Sequence, residues 1–238
     1  MRTLLITGGS RGIGRAIVKL FTSSGYKVAF TYNSSSEAAG SLEKETGALA
    51  IRADSSDEKD VIYAVEKARD FLGHIDCLIN NAGISSFSLF TDIDLGEWQH
   101  LLSINLNGAF LYSREVSRDM ISRHNGRIIN ISSMWGITGA SCEVAYSTSK
   151  AAVNGMTKAL AKELGPSGIT VNTIAPGFID TDMNSAISDE DKRSFCEETP
   201  IPRMGDAREV ACAALFLAEE SSGFITGDVI NVSGGYVS

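Results

Sequence analysis

The residues best placed to do chemistry in this chain are a tyrosine and a lysine four positions apart, preceded by a serine. Tyr146 and Lys150 are separated by Ser-Thr-Ser, and Ser133 lies thirteen residues before the tyrosine. Positions i and i+4 of a helix share a face, so we expect the Lys150 ammonium near the Tyr146 hydroxyl. A nearby cation stabilises phenolate and is expected to lower the pKa of Tyr146 toward neutral pH. Such a tyrosine can donate or accept a proton, while Ser133 supplies a hydrogen bond to a carbonyl or alkoxide oxygen.

A glycine-rich motif near the N-terminus favours this catalytic interpretation over an ordinary amphipathic helix with a core tyrosine and a surface lysine. The apolar run Thr3–Thr7 predicts a buried strand, and apolar residues recur at helical spacing from Ile13 to Phe21. The loop between them reads Gly8-Gly9-Ser10-Arg11-Gly12-Ile13-Gly14. Strand, loop and helix together predict a dinucleotide site, because glycine admits a pyrophosphate to the backbone and the helix N-terminus offers free N–H groups. Without these flanks, the loop would indicate only a tight turn.

Strand-like and helical runs alternate along the whole chain and predict an α/β fold. Further strands are predicted at Lys27–Tyr32, Ala48–Ala53, Cys77–Asn80, Arg127–Ser132, Thr170–Ala175 and Val229–Val232. Further helices are predicted at residues 36–46, 57–72, 96–123, 145–164, 189–197 and 206–219. We expect a Rossmann-type doubly wound parallel sheet of about seven strands, with helices on both faces, in a single domain. Ligands of such sheets bind at the carboxyl ends of the strands, where the motifs of this chain fall.

Composition narrows the class of protein. The chain has 238 residues, of which 43% are hydrophobic, and its net charge of −8 argues against a nucleic-acid partner. It shows no secretory signal pattern and no apolar run of membrane length, so we expect a cytoplasmic protein without a membrane partner. Cys77, Cys142, Cys196 and Cys212 form no C-x-x-C pair, and we expect reduced thiols. The three histidines lack ligand-like spacing, so no metal site is predicted.

Taken together, the motifs resemble the short-chain dehydrogenase/reductase family over essentially the whole chain. The matching residues stand in family order: Thr7, Gly8, Gly12, Gly14, Asp54, Asn80, Asn81, Ala82, Gly83, Asn105, Ser133, Tyr146, Lys150, Pro176 and Gly177. The resemblance implies hydride transfer from a reduced nicotinamide to a carbonyl carbon. It also implies that Tyr146 protonates the oxygen, Ser133 holds it, and Lys150 binds the nicotinamide ribose.

Two positions in this implied catalytic set have neighbours that compete for the same role. Asn105 lies inside a predicted helix, where asparagine is disfavoured, and the resemblance implies a local bend that holds a relay water; Asn107 is the competing amide. Ser132 competes with Ser133, and the thirteen-residue spacing to Tyr146 selects Ser133.

The cofactor is expected to be NADP(H) rather than NAD(H). NAD enzymes of this fold usually end the second strand with an acidic residue that binds the ribose 2′-hydroxyl, whereas this chain has Tyr32 followed by Asn33. Arg11 and the hydroxyls of Ser34 and Ser35 are placed to meet a 2′-phosphate. The alternative interpretation of Arg11 is a solvated loop charge. The predicted cofactor contacts are Gly8, Ser10, Arg11, Gly12, Ile13, Gly14, Tyr32, Asn33, Ser34, Asp54, Ser55, Asn81, Ala82, Gly83, Tyr146, Lys150, Pro176, Gly177, Ile179 and Thr181.

Three further segments of the cleft carry specific expectations. Asp54 resembles the family residue that meets the adenine amino group. The alternative role of Asp54 is a helix N-cap, and one residue can fill both roles. The consecutive amides Asn80 and Asn81 are expected to lock the neighbouring backbone. The stretch Pro176–Thr181 resembles the segment that contacts the nicotinamide carboxamide, and Asn184–Met204 is predicted to form a mobile substrate lid.

The substrate is the least determined feature. Most of the chain resembles the 3-oxoacyl-(acyl-carrier-protein) reductases of the family, which implies reduction of 3-oxoacyl to 3-hydroxyacyl groups in fatty acid biosynthesis, with acyl-carrier protein as partner. Such enzymes present basic residues to the carrier. The corresponding stretches here are Ser122–Asn125 and Gly165–Gly168, in which Arg123 is the one arginine and lysine is absent.

The segment Ser133–Tyr146 instead resembles a subgroup that reduces the 5-aminopentanone group on a lysine of elongation factor P. Candidate substrate contacts are Trp135, Cys142 and Glu143, and Glu143 either receives a substrate amine or is a solvated loop carboxylate. A hypothesis of another class is a non-catalytic NADP(H)-binding sensor. The intact catalytic set favours an enzyme over a sensor, and turnover with a generic ketone separates the two.

A homotetramer is the expected assembly. The predicted helices 96–123 and 145–164 carry apolar residues on more than one face, namely Leu101, Phe110, Leu111, Val116, Val153 and Met156. A second apolar face requires a cover, and Gly234–Ser238 is predicted to pack at a second interface. Two isologous contacts give D₂ symmetry. The alternative is a monomer whose extra apolar residues lie under loops.

Overall fold

The chain forms one parallel sheet with helices on both faces. The structure, a computed structural model, describes residues 1–184 and 187–237. Its strands are β1 (Thr3–Ile6), β2 (Lys27–Tyr32), β3 (Leu49–Arg52), β4 (Cys77–Asn80), β5 (Gly126–Ile131), β6 (Ile169–Pro176) and β7 (Val229–Val232). They run parallel in the order β3-β2-β1-β4-β5-β6-β7. This confirms the Rossmann-type doubly wound sheet, and each predicted strand end lies within one residue of the observed end.

The helices agree with the prediction except in the middle of the chain. They are α1 (Gly12–Ser23), α2 (Ser36–Thr46), α3 (Glu58–Leu72), α4 (Leu95–Leu102), α5 (Gly108–Arg123), α6 (Trp135–Thr138), α7 (Val144–Leu164), α8 (Asp189–Glu198) and α9 (Ala207–Ala218). The single helix predicted over 96–123 is wrong, because a π-helical turn at Ser103–Asn107 separates α4 from α5. Helix α6 was not predicted, since its four residues are too few to show a helical period.

Two apolar cores lie on opposite faces of the sheet. Along β1, Leu4 and Ile6 face a core with α1 and α9, while Leu5 faces a core with α3 and α5. All three side chains are fully buried, as expected for a parallel strand covered on both faces. The helices therefore cover the faces of the sheet and leave the carboxyl ends of its strands at an accessible edge.

The apolar residues used to predict a partner-covered surface are mostly buried within the subunit. Leu101, Leu111, Val116 and Val153 are each at most 9% exposed, whereas Phe110 is 48% exposed. For the first four, the expectation of a partner cover is wrong, because α3 and the sheet pack against α5, and α4, α6 and β6 pack against α7. No helix within the described ranges is both long enough and apolar enough to cross a membrane.

Candidate active site

The glycine loop after β1 has the shape that a pyrophosphate requires. Gly8 and Gly12 have φ values of +65° and +52°, in the left-handed region that favours glycine. A Cβ on Gly14 would stand 2.2 Å from the Gly8 carbonyl oxygen. Arg11 occupies the N-cap of α1 without a capping side-chain hydrogen bond, so its side chain does not occupy the first N–H groups of the helix. The residues present therefore fit a dinucleotide phosphate.

The amides that follow β4 hold this loop in place. The Asn81 side-chain nitrogen donates to the carbonyl oxygens of Thr7 at 3.0 Å and Gly8 at 2.9 Å. The Thr7 hydroxyl accepts from the backbone N–H groups of Asn81 and Ala82, each at 2.9 Å. On the other side, Asn80 Nδ2 donates to Asn130 Oδ1 at 2.8 Å. The predicted locking of the backbone is confirmed for Asn81, whereas Asn80 bonds mainly to the Asn130 side chain. Thr7 is a participant that the prediction did not include.

The residues beyond β2 and β3 form the outer corner of the cleft. Tyr32 is half-buried, while Asn33 and Ser34 are exposed. The Asp54 carboxylate accepts from Ser56 N at 2.8 Å and from Ser56 Oγ at 2.7 Å, and these bonds hold the pKa of Asp54 below its ordinary value.

The N-cap of α3 is Asp57, whose side chain accepts from Lys59 N. The helix-cap interpretation of Asp54 is therefore wrong, because that position falls three residues earlier in the chain.

Tyr146 and Lys150 lie on one face of α7, close to Ser133 at the end of β5. Lys150 is 4% exposed, and its Nζ donates to the Ile131 carbonyl oxygen at 3.0 Å. This nitrogen stands 5.6 Å from the centre of the Tyr146 ring, which confirms the predicted proximity. The Ser133 hydroxyl lies near the Tyr146 phenol, whose pKa it acts to lower, and accepts from Trp135 N at 3.1 Å.

The pKa values of the tyrosine and the lysine differ from the expectation. Burial raises the pKa of Tyr146 to about 12. The nearby Ser133 hydroxyl opposes this rise only in part, and the charge of Glu143 adds to it. Burial also lowers the pKa of Lys150 to about 8. The predicted lowering of the Tyr146 pKa by Lys150 is wrong for the ligand-free protein, because burial of the phenol dominates and the ammonium does not measurably offset it.

Asn105 sits inside the π-helical turn and is 2% exposed. Its amide exchanges two hydrogen bonds with the Ile84 backbone, accepting at 2.8 Å and donating at 2.9 Å, and it donates to Ser149 Oγ at 3.1 Å. Asn107, the competing amide, is exposed. The local bend predicted at Asn105 is confirmed, since a π-turn widens the helix there.

Ser132, the competing serine, has a different contact from Ser133. Its Oγ donates to the Lys150 carbonyl oxygen at 3.0 Å, so it fastens β5 to α7. A Cβ on Gly136, in α6, would stand 2.8 Å from the same Ser132 Oγ and 2.8 Å from the Lys150 carbonyl carbon, so α6 packs closely on this junction.

The segment after β6 closes the cleft opposite the glycine loop. A Cβ on Gly177 would lie 2.7 Å from Ser233 Cα, so only glycine fits between β6 and the chain beyond β7. Ile179 is 3% exposed and forms a β-bridge with Gly205. Thr181 Cγ2 would stand 3.4 Å from a Cβ on Gly12. The fold therefore brings the two predicted cofactor segments together.

The predicted substrate contacts lie in the segment between β5 and the start of α7. Cys142 adopts a positive φ of +61°, unusual for a residue with a Cβ. Glu143 is half-buried at the N-cap of α7 and makes no capping side-chain hydrogen bond. Burial raises the pKa of Glu143. The Trp135 ring lies two residues beyond Ser133 and faces the predicted lid.

An aromatic cluster joins this segment to the lid helix α8 and to the end of the chain. Trp135 makes edge contacts with Phe195 of α8 at 6.0 Å and with Tyr236 at 5.6 Å between ring centres. Tyr236 stacks on Phe195 at 4.7 Å, and Phe178 also contacts Phe195 at 4.7 Å. Sequence reasoning missed Phe178, Phe195 and Tyr236, because no local pattern relates them.

The structure also describes most of two further predicted segments, the substrate lid and the C-terminal tail. The predicted lid Asn184–Met204 contains α8, while Ser185 and Ala186 lie outside the described residues. The tail Gly234–Ser238 packs on its own subunit as far as Val237, with Ile201 N donating to Gly234 O at 2.9 Å, and its place at a second interface stays a prediction. Ser238 is likewise outside the described residues.

Arg123 lies away from this site, at the other edge of the sheet. Its guanidinium pairs with Asp119 and Asp76, each at 3.0 Å, and donates to Ile75 O. A Cβ on Gly168 would stand 2.6 Å from His124 O, so the two stretches expected to meet a carrier do adjoin. Arg123, the one arginine in these two stretches, is held in ion pairs with Asp76 and Asp119.

Across the described parts of the chain, no cluster of His, Cys, Asp and Glu could hold a metal ion. The fold and the site thus define a dinucleotide cleft with a buried lysine, a tyrosine and a serine at its inner end. This arrangement is that of an oxidoreductase.

Comparisons with known proteins identify the family. A family model described as enoyl-(acyl carrier protein) reductase matches residues 8–237. The 3-oxoacyl-(acyl-carrier-protein) reductase FabG of Aquifex aeolicus is 42% identical over 236 residues, which cover 97% of this chain and 95% of the relative. The acetoacetyl-CoA reductase of Shinella zoogloeoides is 40% identical over 235 residues, with 98% of each chain covered.

Among solved structures, a short-chain dehydrogenase/reductase from Serratia marcescens superposes with a TM-score of 0.94 at 35% identity, covering 100% of this chain and 98% of the other. The chain belongs to the short-chain dehydrogenase/reductase family. It is an oxidoreductase that uses a nicotinamide cofactor.

Proposed function

We propose that this protein is an NADPH-dependent reductase of 3-oxoacyl thioesters, forming 3-hydroxyacyl products. The observation that carries the proposal is the convergence of Ser133, Tyr146 and Lys150 at the inner end of the dinucleotide cleft, with Asn105 beside them. The relatives named as reductases of 3-oxoacyl-carrier and acetoacetyl-CoA substrates support this substrate class.

The raised pKa of Tyr146 suits the acid in a reduction. A pKa of about 12 keeps the phenol protonated at neutral pH, so Tyr146 can donate its proton to the oxygen of a ketone. Ser133, which lies near the phenol, holds the same oxygen. When bound, the reduced nicotinamide supplies the hydride. Lys150 carries positive charge at neutral pH and lies near enough to stabilise the phenolate that remains after proton transfer.

Asn105 supports the return of a proton to Tyr146. A Cβ on Gly83 would stand 3.2 Å from Asn105 Oδ1 and 3.4 Å from Lys150 Nζ, so both polar groups face the same small space. The π-turn directs Asn105 inward, and this placement supports its role beside Lys150 in a water-mediated proton relay.

The main experiment measures NADPH oxidation with acetoacetyl-CoA and with acetoacetyl-carrier thioester. We expect Tyr146→Phe to lower turnover by at least about a hundredfold, the low end for loss of a general acid, while the cofactor still binds. Tyr63→Phe, on the exposed face of α3 where Tyr63 is 50% exposed, is the matched control. Activity of Tyr146→Phe close to that of the control would remove Tyr146 from its role.

Comparing the two thioesters also tests carrier docking. Because Arg123 is paired with Asp76 and Asp119, the surface near Gly168 offers an acidic carrier little free positive charge. We expect the carrier thioester to be favoured over the CoA thioester by less than about tenfold in kcat/KM, since exposed charge pairs contribute little. A much larger preference would show that the carrier docks on other residues.

The choice of NADP(H) rests on the end of β2. Tyr32 and Asn33 stand where an acidic residue would exclude a 2′-phosphate, and Arg11 is exposed in the adjacent loop. Tyr32→Asp should shift the preference toward NADH by placing a carboxylate against the phosphate. Steady-state kinetics in which the unmodified enzyme prefers NADH would contradict this part of the proposal.

A second candidate substrate is a ketone that carries an amine, such as the 5-aminopentanone group on elongation factor P. The Glu143 carboxylate is half-buried and forms no hydrogen bond with the described residues, while its charge acts on Tyr146. An uncompensated carboxylate in such a position is unfavourable, and a substrate ammonium would stabilise it.

Glu143→Gln separates this candidate from the first. We expect the substitution to lower kcat/KM for the aminoketone on elongation factor P by at least about tenfold, since hydrogen bonds to charged groups contribute about 1.5–3 kcal/mol. Activity on neutral acetoacetyl thioester should stay within about twofold. Equal effects on both substrates would exclude an amine-specific role.

We also propose a homotetramer. Phe216 is 51% exposed and Phe224 is fully exposed next to β7, which is an edge strand of the sheet. A second apolar surface includes Phe87 at 79% and Phe90 at 69% exposure. Exposed apolar groups and an unpaired strand edge commonly mark interfaces. A single species of monomer mass in light scattering at micromolar concentration would exclude the tetramer.

A further inference from the structure

Arg52 is a cation at the cofactor corner that the sequence motifs do not single out. It is the last residue of β3 and lies opposite Tyr32, the last residue of β2, in the parallel register. Its side chain is exposed, and its Nε donates to the Asn33 carbonyl oxygen at 3.2 Å. The guanidinium is thereby fastened to the segment that follows β2.

The order of strands places two arginines on either side of that segment. Strand β2 lies between β3 and β1 in the sheet. Arg52 ends β3, and Arg11 lies in the loop that follows β1, so both stand at the carboxyl edge on opposite sides of the end of β2. In this fold the ribose 2′ position lies just beyond the second strand.

The guanidinium of Arg52 retains the groups needed to bind an anion. With Nε engaged by Asn33, both terminal nitrogens remain, and no carboxylate among residues 1–184 and 187–237 forms an ion pair with them. The nearby Asp54 carboxylate is occupied by Ser56 and by Asn33 Nδ2, the latter at 3.4 Å. By contrast, Arg15 is committed to Glu45 at 2.9 Å.

We propose that Arg52 is a specificity-determining residue that binds the 2′-phosphate of NADP(H) from the β3 side, opposite Arg11. A planar guanidinium presents parallel N–H donors to phosphate oxygens, and the bond to Asn33 O holds that plane in place before the ligand arrives. The inference rests on the proposed use of NADP(H). It adds a contact with the 2′-phosphate from β3, besides the residues at the end of β2.

Direct binding of NADP⁺ and NAD⁺, measured by calorimetry without any ketone, tests the proposal. We expect Arg52→Gln to weaken NADP⁺ binding by about tenfold, since charge-assisted hydrogen bonds to exposed phosphates are of that order. Binding of NAD⁺ should change by less than about twofold. Arg118→Gln is the charge-matched control, because Arg118 lies on α5 with its side chain 71% exposed; it should leave both affinities unchanged.

The alternative outcomes are distinct. Equal weakening of both cofactors by Arg52→Gln would mean that the guanidinium stacks on the adenine, and would overturn the proposal. An unchanged NADP⁺ affinity, with the variant folded by thermal unfolding, would also overturn it. If the unmodified protein binds NAD⁺ as tightly as NADP⁺, the cofactor choice in the proposed function fails instead. Arg52→Lys should retain part of the affinity, because it keeps the charge but loses the paired donors.

Discussion

The buried ammonium of Lys150 is expected to lower the free energy of unfolding of this protein. Its ammonium is 4% exposed, and burial lowers its pKa from the ordinary 10.5 to about 8. A tenfold change in a binding constant corresponds to about 1.4 kcal/mol, so this pKa difference corresponds to about 3 kcal/mol of unfavourable free energy in the folded state. Replacement by methionine removes that term but leaves the Ile131 carbonyl without its donor, a loss of about 1 kcal/mol.

Lys150→Met should therefore raise the free energy of unfolding by about 2 kcal/mol near neutral pH, and the melting temperature by about 4 to 8 °C, while lowering activity. The sign depends on pH. Below pH about 8 the lysine is charged in both states and the full penalty applies. Between about 8 and 10.5 the folded protein releases its proton first, so the wild type gains stability and the advantage of the variant disappears.

Urea unfolding of the ligand-free proteins, at matched concentration and at pH about 7 and about 10, measures this difference. Lys158→Met is the control, because Lys158 is exposed on the same helix and should change stability little. A Lys150→Met variant less stable than the wild type at neutral pH would refute the reasoning from burial. In the wild type, kcat/KM for ketone reduction should also fall as pH rises through about 8, because the charge on Lys150 is lost.

Two further predictions concern the cofactor loop and the lid. Gly14→Ala should abolish measurable dinucleotide binding, because the new Cβ would stand 2.2 Å from the Gly8 carbonyl oxygen; Gly40→Ala, with nothing within 4 Å, should bind normally, and equal affinities in calorimetry would contradict the assignment. Tyr236→Ala should shift Trp135 fluorescence to longer wavelength and raise KM more than it lowers kcat, since the 5.6 Å ring contact helps to hold the lid. An unchanged emission spectrum would show that the tail does not position the lid.

Local patterns in the amino-acid sequence predict several parts of this protein correctly. Apolar runs set the strands to within one residue, because a buried parallel strand is apolar on both faces. The glycines at positions 8 and 14 predict a loop whose backbone a pyrophosphate can approach closely. The i, i+4 spacing predicts that Lys150 lies beside Tyr146, as observed. Each of these depends on residues near one another in the chain, where helix and strand geometry fixes their relation.

Features that depend on burial, or on contacts between segments far apart in the sequence, follow only from the folded structure. The pKa of Tyr146 rises to about 12 because packing removes the phenol from water, and no spacing in the chain reports that loss. The contact between Trp135 and Tyr236 spans about a hundred residues of sequence. Arg52 meets Asn33 only because β3 pairs with β2 in a particular register. Apolar patterning makes strands pair, but the alignment of polar groups at their ends follows from the sheet as a whole.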